Sequence, residues 1–158
     1  MHPNAQLIAR FYEAFGRLDA ETMAQCYHRD VHFSDPVFPD LHGAQAGNMW
    51  RMLLGRSAGM EITVSGVEAD DLNGKAHWEP IYAFGPSKRR VHNVVDARFE
   101  FKDGLILRHI DTFDTWSWSK QALGVTGWLI GWTPFFRARL QAEVARQLKK
   151  FEAGRAAT

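Results

Sequence analysis

The chain has 158 residues, enough for one domain with its own core and too few for two. Nineteen Lys and Arg stand against 18 Asp and Glu, and the formal net charge of +1 excludes a nucleic-acid binder that relies on bulk positive charge. The 46% apolar content excludes a disordered chain, and a single cysteine, Cys26, excludes an intramolecular disulfide or a cysteine zinc cluster.

Residues 4–16 place Leu7, Ile8, Phe11, Tyr12 and Phe15 on a helical stripe, with Asn4 as its cap and Gly16 as its end. Asp19 caps a short second helix carrying Met23, Cys26 and Tyr27. Val31, Phe33 and Asp35 then alternate with His32 and Ser34, the pattern of a strand that stops at Pro36. A turn-rich stretch from Pro36 to Gly43 leads to a third helix around Met49, Trp50, Leu53 and Leu54.

After Gly59 the period changes to two. Ile62 and Val64 begin one strand, and residues 75–84 form another with Trp78, Tyr82 and Phe84 on one face, where Pro80 argues against unbroken pairing. Turns at Gly85-Pro86-Ser87 and Lys102-Asp103-Gly104 lead into strands over 89–101 and 105–114. Such short connections imply an antiparallel meander, and the element order reads as α+β with helices on one sheet face.

The tail differs in kind. Residues 128–136 are rich in Trp and Phe, and Phe136, Leu140, Val144, Leu148 and Phe151 then form a helical stripe that Pro134 can start. This predicts a main domain over 1–124 and, over 125–158, an aromatic segment and amphipathic helix packed on the same domain or a dimer mate. A membrane-surface role for the tail's basic residues is disfavoured against that packing. The opening Met1-His2-Pro3-Asn4 lacks the basic stretch and apolar run of a secretory signal, and no apolar run approaches the roughly 20 residues of a membrane span, so a cytoplasmic setting is expected.

Several motifs carry a resemblance: Phe33-Ser34-Asp35-Pro36 after the second helix, Gly43 opening the third, Phe99-x-Phe101-x-Asp103-Gly104, and His109-Ile110-Asp111-Thr112-Phe113-Asp114. Together with the element order they resemble the SnoaL-like branch of the NTF2-like superfamily, over residues 4–124. That superfamily includes polyketide cyclases, ketosteroid isomerase and limonene-epoxide hydrolase. The resemblance implies a cystatin-like curved antiparallel sheet wrapped around N-terminal helices and enclosing an apolar pocket, here with an extra C-terminal helix. It also implies a homodimer joined through the sheet and a small, largely apolar organic ligand. The same scaffold hosts cofactor-free acid–base enzymes and non-catalytic binders, so the reaction does not follow from the fold.

Asp111 is the leading catalytic candidate. It shares a strand face with His109 and Phe113, and a carboxylate on an apolar wall is costly unless paired. The resemblance places it where limonene-epoxide hydrolases carry a pocket Asp and close to the acid/base Asp of polyketide cyclases; a solvent-facing Asp explains the same residue. His109 would tune it or relay its proton. Asp35 matches the Asp-Pro that holds the general base of ketosteroid isomerases, and it is equally a turn opener.

The companion groups match less well. The isomerase's oxyanion Tyr falls at Phe11, with Tyr12 adjacent, and its oxyanion Asp falls near Asp96. A three-residue turn at Lys102-Asp103-Gly104 sets Phe101 opposite Leu105, Phe99 opposite Leu107 and Ala97 opposite His109, turning Asp96 off the face of Asp111; a two-residue turn sets Asp96 against Asp111. The first is preferred because it pairs apolar with apolar. His77 and Glu79 fall where epoxide hydrolases carry an Arg-x-Asp pair, and a solvated face explains them too. Trp50, Trp78, Tyr82 and Phe113 are candidates to line a ligand pocket, or simply core. His28 and His32 have metal-ligand spacing only in a helix, whereas His32 reads as extended, so neither a metal nor another cofactor is expected.

Overall fold

The computed structural model describes residues 1–57 and 59–157. Helices α1 (Pro3–Gly16) and α2 (Ala20–Gln25) precede β1 (Tyr27–Ser34), β2 (Leu41–His42) and α3 (Ala44–Gly55). The meander follows as β3 (Glu61–Ala69), β4 (Asn73–Phe84), β5 (Arg89–His92), β6 (Val95–Lys102) and β7 (Leu105–Thr112). Helices α4 (Thr115–Leu123), α5 (Val125–Ile130) and α6 (Pro134–Ala156) close the described chain.

The sheet order is β2-β1-β7-β6-β4-β3, with β5 also on β4. Its pairs are antiparallel except β1–β7, which run parallel; β2, α3 and the strands β3 to β6 separate them in the chain. The α1, α2 and α3 helices pack on one face, and the core joins Ile8, Phe11 and Phe15 of α1 to Met49, Trp50 and Met52 of α3. Pro3 opens α1 at its first turn, where a missing N–H costs nothing. Its cap is His2, whose Nδ1 accepts from the Asn4 N–H at 3.1 Å, and not Asn4 as expected. The Asn4 amide instead donates to the carbonyls of Asp70 and Asp71, tying α1 to the β3–β4 turn.

Three local departures set the inward faces. The span expected as one strand over 89–101 is two, because Pro80 offers no N–H to the ladder: β6 pairs with β4 up to Trp78, β5 takes over from Ile81, and between them Asn93 N–H reaches the Pro80 carbonyl at 3.1 Å. Asp19 caps α2 through Thr22 as expected, but the helix ends at Gln25 and Tyr27 opens β1. The β6–β7 hairpin turns on Asp103 and Gly104 alone, both at positive φ (55° and 73°), and pairs Lys102 with Leu105 and Phe101 with Ile106. That corrects the preferred three-residue turn. A bulge at Leu107 then shifts the register, so Phe99 faces His109, Ala97 faces Asp111 and Asp96 faces Thr112.

The C-terminal helix buries Leu148 and packs Val144 and Phe151 on the same core. The Asn48 amide donates to the Glu152 carboxylate at 2.7 Å, and the Gln141 amide donates to the Pro36 carbonyl at 2.9 Å. The segment before it behaves differently: Val125, Trp128, Leu129, Trp132 and Phe135 are each more than half exposed. Helices α4 and α5 meet at a tight corner, where a Cβ on Gly127 would stand 1.9 Å from the Ser119 carbonyl oxygen. No helix among the described residues is long and apolar enough to cross a membrane.

Candidate functional site

The bulge at Leu107 points His109 and Asp111 inward from β7, against α1 and α3. His109 is 0% exposed and Asp111 3%, a costly burial unless every polar atom finds a partner. The His109 ring is enclosed by Phe11, Phe33 and Phe99, with ring centroids 5.5, 5.0 and 4.5 Å away.

The polar atoms form one directed chain. Trp50 Nε1–H donates to the Tyr27 hydroxyl at 2.9 Å, and that hydroxyl lies 2.8 Å from His109 Nδ1. His109 Nε2 lies 2.9 Å from Asp111 Oδ1, which also receives a long 3.4 Å contact from Trp78 Nε1–H. Trp50 N–H can only donate, so the Tyr27 hydroxyl accepts there and is free to pass its own proton to Nδ1, the arrangement in which Nε2–H faces Asp111. The chain thus delivers donors to one carboxylate oxygen, and Oδ2 stands outside it. Burial holds the Tyr27 phenol well above its ordinary range, with the Trp50 bond opposing that rise and the Asp111 charge adding to it.

Tyr12 lies beside this chain, its ring 6.0 Å from Trp78 and 6.4 Å from Phe99. Its hydroxyl is buried and has no hydrogen-bond partner among the described residues. Burial, and after it the charge of Asp111, push the phenol well above its ordinary range. A proton-holding hydroxyl is therefore aimed into the interior beside a carboxylate.

Asp35, half-buried past the end of β1, stands within electrostatic reach of Asp111. Its Oδ1 accepts from the Val37 and Phe38 N–H groups at 2.7 and 2.5 Å, the hydrogen bonds of the Asp-Pro turn. Burial outweighs those bonds, and with the Asp111 charge it pushes the carboxyl up to about 7.

The structure leaves other candidates apart. Along β4, Ala76, Trp78 and Pro80 point inward, so His77 and Glu79 lie on the outer face. There Asp96 lies 2.8 Å from His77 Nδ1, and that bond raises the imidazole's pKa. These three do not join Asp111. Trp50 and Trp78 are buried in the main core; Tyr82 belongs to a second cluster under α4, its hydroxyl accepting from Trp118 Nε1–H at 2.8 Å, and Phe113 touches both clusters. His28 and His32 are both on β1 and extended. Two surface grooves, one around Lys75, Arg98 and Arg108 and one around Arg56 and Phe151, do not include Asp111.

Tyr27 is the member that sequence reasoning missed. Its helical assignment set it on the wrong element, and 82 residues separate it from His109. Tyr27 stands in phase with Val31, Phe33 and Asp35, but the exposed Arg29 at the same parity interrupts the alternation that could have revealed it.

Solved structures share this fold. An LEH-like epoxide hydrolase from M. tuberculosis matches with a TM-score of 0.65 at 23% identity, over 81% of this chain and 96% of that one. TerC, co-crystallised with polyporic acid, matches with a TM-score of 0.66 at 18% identity, over 77% and 98%. A protein described as a SnoaL-like polyketide cyclase from Jannaschia sp. CCS1 matches with a TM-score of 0.67 at 14% identity, over 78% and 92%. The comparison with curated proteins finds no match. The family model for the SnoaL-like domain matches residues 8–109, from α1 through His109, and the chain therefore belongs to the SnoaL-like family.

Proposed function

We propose that this protein binds a small, largely apolar organic molecule beside Tyr12 and Asp111 and transforms it by cofactor-free acid–base chemistry. Isomerisation, cyclisation and hydrolysis all fit. The observation that carries the reading is the directed Trp50–Tyr27–His109–Asp111 chain beside the unpartnered Tyr12 hydroxyl. Asp111 is the acid or base toward substrate, and His109, held in one tautomer by Tyr27, is the positioning residue that sets its charge. Tyr12 would donate to an oxygen on which charge develops. Asp35 is the second acid/base candidate, its carboxyl pushed up to about 7. The relatives described as an epoxide hydrolase and a cyclase support this reaction class.

A second reading, a non-catalytic ligand-binding module, is favoured by the sealed state of His109 and Asp111. A panel of apolar epoxides and enolisable ketones distinguishes the two. Turnover, or deuterium uptake at the carbon beside the carbonyl, that Asp111→Asn abolishes while ligand-induced NMR shifts persist supports the enzyme. Ligand binding without turnover in either protein supports the module. The proposal includes a cytoplasmic setting, in which the lone buried Cys26 stays reduced, and a homodimer joined through the outer sheet face. That face interleaves Lys75, His77 and Arg98 with Glu79, Asp96 and Glu100, a pattern that can complement its own copy. Light scattering at micromolar concentration tests it, and a monomer would exclude it.

A further inference from the structure

On the opposite side of β1 from the interior chain, a second group of titratable side chains converges. The turn over residues 35–40 returns the chain as β2 and sets His42 directly across from His32. Cross-strand partners share a sheet face. The two imidazoles accordingly lie ring over ring, with centroids 4.6 Å apart and planes inclined by 31°. Both Nε2 atoms approach the same oxygen, Asp40 Oδ1, at 2.7 Å from His32 and 2.8 Å from His42. One ligand atom from each of the three residues lies within 4.8 Å of the other two.

We propose that His32, Asp40 and His42 bind one divalent transition-metal ion, of which Zn²⁺ fits best. Imidazole nitrogen and carboxylate oxygen bind zinc at about 2.0–2.2 Å, which sets ligand atoms around a tetrahedral ion about 3.3 Å apart. The His–Asp separations need to open by about half an ångström for the ion to enter between them. The Asp40 carboxylate, exposed at the end of the turn, reaches that spacing by side-chain rotation. The β1–β2 ladder holds the two imidazoles side by side on one face. Two nitrogen donors select against Mg²⁺ and Ca²⁺, which take oxygen ligands. Exposure of Asp40 and His42 leaves the remaining coordination position to water.

The site has a structural consequence. An ion there clamps both ends of the turn that contains Asp35, whose N–H is bonded to the Phe38 carbonyl at 2.9 Å. Bound metal would stiffen the support of one acid/base candidate without touching the interior.

Isothermal titration of the full chain, stripped with a chelator, against zinc chloride tests the assignment. One Zn²⁺ per chain with micromolar affinity is expected, with no comparable response to magnesium chloride. His32→Ala and His42→Ala should each weaken binding by at least about tenfold, and Asp40→Asn by less. Circular dichroism checks that each variant is folded. His77→Ala, at the other surface cluster of histidine and carboxylates, should leave the affinity unchanged. Zinc should also raise the melting temperature of the parent chain and not that of His32→Ala. Absence of binding at about 100 μM zinc, where a micromolar site would be saturated, overturns the proposal. Undiminished binding by the folded His32→Ala and His42→Ala variants overturns it equally.

Discussion

Two buried tyrosines in one aromatic cluster make opposite predictions for the loss of a single oxygen atom. The Tyr27 hydroxyl accepts from Trp50 Nε1–H and is hydrogen-bonded to His109 Nδ1, so Tyr27→Phe keeps the packing ring and leaves two buried polar atoms unpaired. Each orphaned buried group costs about 1–3 kcal/mol, giving a destabilisation of about 2–6 kcal/mol. In a chain of 158 residues each kcal/mol moves the melting temperature by about 2–4 °C, so a fall of about 4–24 °C is expected. The Tyr12 hydroxyl has no partner to lose. Tyr12→Phe should therefore be neutral, or stabilising by up to about 1 kcal/mol, because it removes an unsatisfied buried oxygen. Urea unfolding followed by the fluorescence of the six Trp residues measures both, with unchanged m-values showing that the same surface is exposed. Equal losses for the two variants, or a larger loss for Tyr12→Phe, would refute the claim that the polar chain holds this interior together.

The raised carboxyl of Asp35 has a signed consequence. With an unfolded pKa near 3.8 and a folded value of about 7, its contribution is fully present below pH 3.8, declines from pH 4 to 7, and is lost above. Asp35→Asn keeps an oxygen for the Val37 and Phe38 N–H groups, so its stability relative to the parent should rise across that window by up to about 4 kcal/mol and then level off; a pH-independent difference in urea midpoints would contradict this. In the C-terminal helix, Leu148→Ala should cost about 2–5 kcal/mol, whereas the exposed Phe135→Ser should shift thermal unfolding by no more than about 0.5 kcal/mol. A comparable loss from both would show that the aromatic segment is buried in solution. Gly127→Ala should lower the melting temperature more than the exposed Gly154→Ala, since a Cβ at 127 meets backbone and one at 154 meets nothing; equal melting curves would remove the tight α4–α5 corner from the account.

Apolar spacing alone was enough to read α1, α3, the meander and the α6 stripe, though not α4 or α5, because a 3.6-residue period and a 2-residue period are properties of the local chain. His109 and Asp111 could be placed on one face for the same reason: two residues apart in a strand, they share a side whatever the strand pairs with. Periodicity could not supply the strand pairing. The Leu107 bulge reversed the consequence of a two-residue turn and kept Asp96 off the Asp111 face, and Pro80 divided β5 from β6. Tyr27 joined the buried chain only through the parallel β1–β7 ladder, which brings it to His109 82 residues away, and His32, Asp40 and His42 met only when β2 folded back on β1. Nor could amphipathicity say which apolar residues α6 would bury and which the preceding segment would leave in water; that followed from the seat α3 and the core offered to Leu148. Local period is written in neighbouring residues, whereas register, bulge and docking depend on which distant surfaces compete for the same apolar area and the same hydrogen bonds.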